Sequence, residues 1–248
     1  VRISVIVNEF AKMRHLHVIL LAANLAVVLT GFSLATGVLN PDFDRTTDGA
    51  WNALLASFGG AAALATPLLV AVLASRQTDV EHTGRGWLLS ATSGTSPASV
   101  CRAKLLALSV LVTTAIVAAS AALTASGLLL GAIAPWPVLR WVGCTAAIVV
   151  VSLVLLALHV LLAARVENQL VGIGLGLLGT IIAMFVGGFP AWVAHVTPWG
   201  YYSLATAAGY AGDDLVPLQP AYPSIAGLAF VAVLAFGALT HRLDRPEV

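Results

Sequence analysis

The chain has 248 residues, of which 59% are hydrophobic and only 9% charged, with a formal net charge of +1. Soluble domains average about 25% charged residues, so this composition excludes a water-soluble globule. No nucleic-acid partner is expected.

Residues 1–15 come first. Ile3, Ile6, Phe10 and Met13 recur at helical spacing, and Asn8, Lys12 and His15 gather on another face. Glu9 stands three residues before Lys12, close enough to pair on a helix. The segment is predicted as a helix lying in the cytoplasmic membrane interface, either as a lead-in to the first span or as a surface for a cytosolic partner.

The remainder, 16–248, is predicted as a six-span transmembrane domain. A hydrocarbon core about 30 Å thick needs about 20 helical residues. Leu16–Val38, Trp51–Ser75, Leu105–Ile133, Val138–Ala164, Leu170–Phe189 and Tyr222–Thr240 all meet that or nearly so. None contains Asp, Glu or Lys, and the only Arg among them is Arg140 at the rim of the fourth. The expected fold class is an all-α membrane protein.

Between the spans, charge sets the orientation. Arg2, Lys12, Arg14, Arg76, Arg85, Arg102, Lys104, Arg165, Arg242 and Arg245 fall on one side, and only Arg45 and Arg140 on the other. Basic loops stay cytoplasmic, so both termini are expected in the cytoplasm. The opposite loops are acidic, with Asp42, Asp44, Asp48, Asp213 and Asp214. Trp51, Trp136, Trp141, Trp192, Trp199, Tyr201, Tyr202, Tyr210 and Tyr222 also fall on the outer side, as an anchoring belt would. Cys101 and Cys144 sit on opposite sides in this topology, so no disulfide is expected between them.

Span 2 carries Pro67, which removes one helical hydrogen bond and predicts a kink. The longest cytoplasmic segment, 76–104, mixes Asp79, Glu81 and four basic residues with Trp87, Leu88 and Leu89. That mixture suits either a solvated loop or a short helix docking on another protein. Glu81 and Arg85 lie one turn apart and are expected to pair with each other or with a partner's charges. In span 5, Gly172, Gly176, Gly179, Ala183 and Gly187 form a stripe of small residues that lets helices approach closely, within the chain or between two chains. Gly174-x-Gly176-x-x-Gly179 mimics a dinucleotide fingerprint, but no strand precedes it and it lies at membrane depth. The outer segment 190–221 is too polar and too broken by Pro and Gly for another span. Its run Ala191–Tyr210 is expected to form short helices dipping into the outer leaflet.

These residues and the six-span plan resemble the membrane subunit of ABC-2 type exporters, in particular the small permeases of bacteriocin and lantibiotic self-immunity. The resemblance rests on Glu9 and Lys12 in the first helix, on Glu81, Gly84 and Leu89 after span 2, and on Lys104 opening span 3. The chain departs from the family's Pro-x-x-Arg element, with Gly94 in the Pro position and Pro97 in the Arg position. The resemblance implies that Glu81, His82, Gly84, Arg85 and Trp87 belong to a coupling helix seated on a separate cytosolic ATPase. It implies that spans 2 and 5 line a path between two permease chains, identical or homologous, and that 190–221 forms re-entrant outer helices. ATP and Mg would sit on the ATPase subunit, with no cofactor on this chain. The location implied is the bacterial cytoplasmic membrane, and the cargo an amphipathic peptide antibiotic, drug or lipid-like compound.

The chain's two lysines, Lys12 and Lys104, lack any Walker A context, so ATP hydrolysis is not expected of it. An ion-coupled secondary transporter is the runner-up. Such proteins place ionisable groups at membrane depth, and here His159 is the candidate, otherwise bonded to a backbone carbonyl or snorkelling inward. A membrane-embedded enzyme lacks its motif: Glu81–His82 is a lone pair without His-Glu-x-x-His, and Ser152 and His159 share one helix. A non-transporting scaffold is the remaining alternative.

Overall fold

The computed structural model describes residues 2–244, a bundle of six long helices with small additions at both ends. Helix α1 (Ile3–His15) turns at His17 into α2 (Val18–Val38). The central helix α3 (Gly49–Thr83) is followed by the short α4 (Gly86–Thr92) and the long α5 (Pro97–Leu129). Then come α6 (Val138–Arg165) and α7 (Gln169–Phe185), joined by a three-residue turn. After α7 the chain makes 3-10 turns at Val186–Gly188, Ala191–His195 and Pro198–Gly200. The short α8 (Tyr201–Ala205), the hairpin strands β1 (Ala208–Ala211) and β2 (Asp214–Pro217), and α9 (Tyr222–Leu243) complete the order. Arg245 lies outside the described residues.

The expected spans correspond to α2, α3, α5, α6, α7 and α9, all long and apolar enough to cross a membrane. Two of them are longer than a crossing needs. At 1.5 Å per residue, the 35 residues of α3 span roughly 50 Å, against a hydrocarbon core of about 30 Å. The excess projects at one end, here termed the basic end. Irregular backbone within 76–104 is therefore confined to 84–85 and 93–96, and the rest is helix.

Hydrogen bonds between distant segments define the two ends. At the basic end, Gln77 on α3 bonds α1, and His82 bonds the last turn of α6. Asp244, just past α9, accepts from Ser96 and from the Ala98 N–H, which caps the start of α5. At the opposite end, Ile133 N–H donates to the Arg45 carbonyl, and Tyr210 on the hairpin donates to Asp42 and accepts from the Asn40 side-chain amide.

The aromatic residues correct the belt expectation. Trp51, Trp141 and Tyr202 are almost fully buried and Trp199 is 8% exposed, whereas Trp192 and Tyr210 face outward. The buried indoles of Trp51 and Trp141 stack edge-to-face at 5.7 Å. Each finds a hydrogen-bond acceptor, the Ala134 carbonyl for Trp51 and Ser120 Oγ for Trp141. A satisfied N–H allows an indole into a core that it would otherwise avoid.

The outer segment also differs from expectation. Its helical part is limited to short turns and α8, and 208–217 forms an antiparallel hairpin with Ala211 paired to Asp214. Gly212, at φ +68°, takes the first place of the two-residue loop. Gly-Asp is a hairpin-loop signal, so the cue was present at Gly212–Asp213.

The small stripe of α7 packs inside the chain. Gly172 faces Ser75, Gly179 lies under the Trp199 ring, and a Cβ at Gly176 would stand 2.5 Å from Ala71 Cβ and 3.1 Å from the Pro67 carbonyl oxygen. Gly187 lies beyond α7 in a 3-10 turn and is exposed, so it leaves the stripe. Gly174, on the far face of α7, has open space around it. Gly176→Leu is expected to push α3 and α7 apart at a cost of about 1–3 kcal/mol, while Gly174→Leu leaves stability unchanged. Thermal unfolding of the detergent-purified variants reads the difference, and equal melting temperatures would refute the packing.

Candidate functional site

The chemistry of this molecule is concentrated at the basic end. The projecting turns of α3 place Gln77 and Glu81 against α1 and the first turns of α5. Four charged side chains meet there, from three helices. Lys104 Nζ, fully buried, lies 2.8 Å from Glu9 Oε2 and 2.8 Å from Glu81 Oε1. Lys12 Nζ, one third exposed, lies 2.6 Å from Glu9 Oε1 and 2.6 Å from Glu81 Oε1. Gln77 donates through Nε2 to Glu9 Oε2 at 2.9 Å, and its backbone carbonyl accepts from Lys104 at 2.8 Å.

Two carboxylates and two ammonium groups cancel, and their hydrogen-bonding capacity is largely used. A buried ion loses several kcal/mol of hydration unless such partners replace the water. Burial opposes the charge on Lys12, but hydrogen bonds to Glu81 and Glu9 outweigh it, and its pKa stands above the usual 10.5. Because the folded value is the raised one, the stability that Lys12 supplies is complete below pH about 10.5 and lost only as pH climbs through the folded value.

Sequence proximity pairs Glu81 with Arg85; the structure does not. Helix α3 continues through Thr83, which turns Glu81 inward to the lysines. Arg85 instead starts α4 in the left-handed region at φ +52°, a conformation that costs a non-glycine residue about 1–2 kcal/mol. Gly84 caps α3, and the Glu81 carboxylate lies against Gly86, where any side chain would collide with it. The cluster and the first turn of α4 are therefore in direct contact. At the other end of α4, Gly94 stands at φ +71° while Thr95 N–H bonds the Ser90 carbonyl. Proline cannot adopt that φ, so the backbone at this position suits the glycine that occupies it.

Helix α4 presents Leu88 and Leu89 outward, 60% and 65% exposed. Trp87 packs edge-on to His82, with ring centroids 5.9 Å apart. Two apolar side chains thus stand exposed side by side on a short helix at the basic end.

Toward the opposite end, α2, α3 and α7 border with the hairpin an open cavity of about 700 Å³. Its wall is mostly apolar, with Asn40, Ser57, Thr206 and Tyr210 as polar points, and Ala183 and Gly187 line it too. Pro67 is buried in α3 below it. His159 is neither bonded to a backbone carbonyl nor snorkelling: it is buried in α6, and neither ring nitrogen has a hydrogen-bond partner among the described residues.

Glu9, Lys12, Glu81 and Lys104 were each visible as motif residues, and the structure gathers them into one site. Gln77, Gly86 and Asp244 were not singled out. Their roles depend on which way the projecting turns of α3 and α5 face. Removing one member of a buried pair costs about 3–5 kcal/mol, so Lys104→Met is expected to lower the melting temperature sharply. Lys12→Met, at the wetter edge, is expected to lower it by less than half as much. Thermal unfolding in detergent checks the order, and equal losses would contradict it.

No curated protein matches the chain. A family model described as ABC-2 family transporter protein matches residues 5–183, which takes in α1 through most of α7 and the whole charge cluster. The chain belongs to the ABC-2 transporter family, as a membrane transport component.

Proposed function

We propose that this chain is the permease subunit of an ATP-driven exporter, powered by a separate cytosolic ATPase that holds ATP and Mg. The observation that carries the reading is α4: an outward apolar pair, Leu88 and Leu89, on a helix whose first turn rests on a buried charge cluster. A partner seated on α4 would move Gly86 and Glu81 together, and with them α1 and α5 through Lys12 and Lys104. The basic end faces the cytoplasm in this reading, with α1 along the inner surface of a bacterial cytoplasmic membrane. A second permease chain, identical or homologous, completes the path. The cavity between α2, α3 and α7 is about 700 Å³, within the roughly 300–1,000 Å³ of drug-sized sites. Its apolar wall with few polar points suits an amphipathic peptide, drug or lipid-like cargo.

One observation favours the ion-coupled alternative, the unpartnered His159 within α6. No carboxylate accompanies it in the apolar spans, and ion coupling at membrane depth relies on such groups. The docking face separates the readings. Leu88→Asp with Leu89→Asp is expected to abolish co-purification with the ATPase subunit while the chain still inserts and melts normally. Undiminished co-purification would remove α4 as the docking helix.

A further inference from the structure

Helix α6 ends at Arg165 with backbone carbonyls that have no helical partner, as every helix does. Ala163 is one of these, and it is buried. Its carbonyl oxygen lies 2.8 Å from Nε2 of His82 on α3. A carbonyl only accepts, so His82 donates through Nε2–H. The other contact of the same ring is Trp87 of α4.

The neighbouring residue, Glu81, faces the opposite way, to α1 and α5. Adjacent side chains on the last turn of α3 thus reach two different parts of the bundle. Beyond the end of α6 at Arg165 the chain has only three residues, 166–168, before α7 begins. Asn168 fixes that start by accepting from the Leu170 N–H at 2.9 Å. Helix α7 carries the stripe that packs on α3 and ends at the cavity wall. Any displacement of the Ala163 carbonyl is passed to α7 through this short, capped turn.

We propose that His82 is a positioning residue that ties α4 to the α6–α7 turn, so that movement of the docking helix reaches the cavity through α7. The tie rests on the permease reading above. Trp87 pushes on the imidazole ring, and the ring holds the end of α6 by one hydrogen bond. The cluster at Glu81 serves α1 and α5, and the tie at His82 serves α6 and α7.

The test uses the permease with its ATPase, reconstituted in phospholipid vesicles. His82→Leu removes the donor, whereas His82→Gln keeps an N–H at similar reach. The amount of a fluorescent amphipathic peptide moved per ATP hydrolysed is expected to fall at least tenfold in His82→Leu and to recover to at least half in His82→Gln. Spin labels at Ala91→Cys and Glu167→Cys report whether α4 and the turn move as one. Their separation is expected to stay constant on ATP binding in the wild type and to change by several ångströms in His82→Leu. If His82→Leu fails to insert, Trp87→Leu carries the test, with the same loss per ATP expected. Wild-type transport in His82→Leu, or His82→Gln no better than His82→Leu, overturns the tie alone. Absence of ATP-driven transport by the wild-type complex overturns the permease reading, and the tie with it.

Discussion

Three charges taken out of water at one point, with a fourth at their wetter edge, govern this architecture. Lys104 is fully buried, and both carboxylates that face it, Glu9 and Glu81, are 1% exposed. Such groups are tolerable only when every partner is in place at once. The requirement ties three helices that share no covalent neighbour: α1 supplies Glu9 and Lys12, α3 supplies Glu81 and Gln77, and α5 supplies Lys104. In lipid, helices gain little from hydrophobic burial against each other. An ion cluster at the rim is therefore a strong specifier of which helices meet and in what register.

The same constraint makes the basic end responsive. A packed apolar contact slides at small cost, but a buried, mutually paired charge cluster has few alternative arrangements. Moving Glu81 drags Lys12 and Lys104 or breaks their bonds. Gly86, at the head of α4, touches that carboxylate, so the outermost short helix is coupled to the least forgiving contact in the molecule. Arg85, between α3 and α4, stands in the left-handed region that L side chains rarely adopt.

The fold was legible where the physics is one-dimensional. Stretches without charge announced the six spans, and the excess of Lys and Arg on one side grouped the loops that the structure gathers at one end. The small stripe of α7 announced a close approach, although only packing against α3 and Trp199 shows that Gly172, Gly176 and Gly179 use it within the chain. Glu9 and Lys12 were legible as a pair because they are neighbours on one turn. Lys104 was not legible as their partner, because 95 residues separate it from Glu9. The local rule offers Glu81 either Arg85 or a partner's charge, whereas it meets Lys12 and Lys104, since the helix outlasts the apolar span. Trp51 and Trp141 misled for a related reason: indoles at a membrane rim favour the interface unless a buried acceptor is offered, and only the fold reveals Ala134 and Ser120 as acceptors.

The central claim is that the cluster and α4 form a handle moved from outside the chain. Its most direct test is transport of a fluorescent amphipathic peptide across sealed vesicles containing the purified chain, with and without the proposed ATPase subunit. Movement is predicted only when both proteins and ATP are present, and to be indifferent to a proton gradient. Movement by the chain alone, driven by that gradient, would contradict the account.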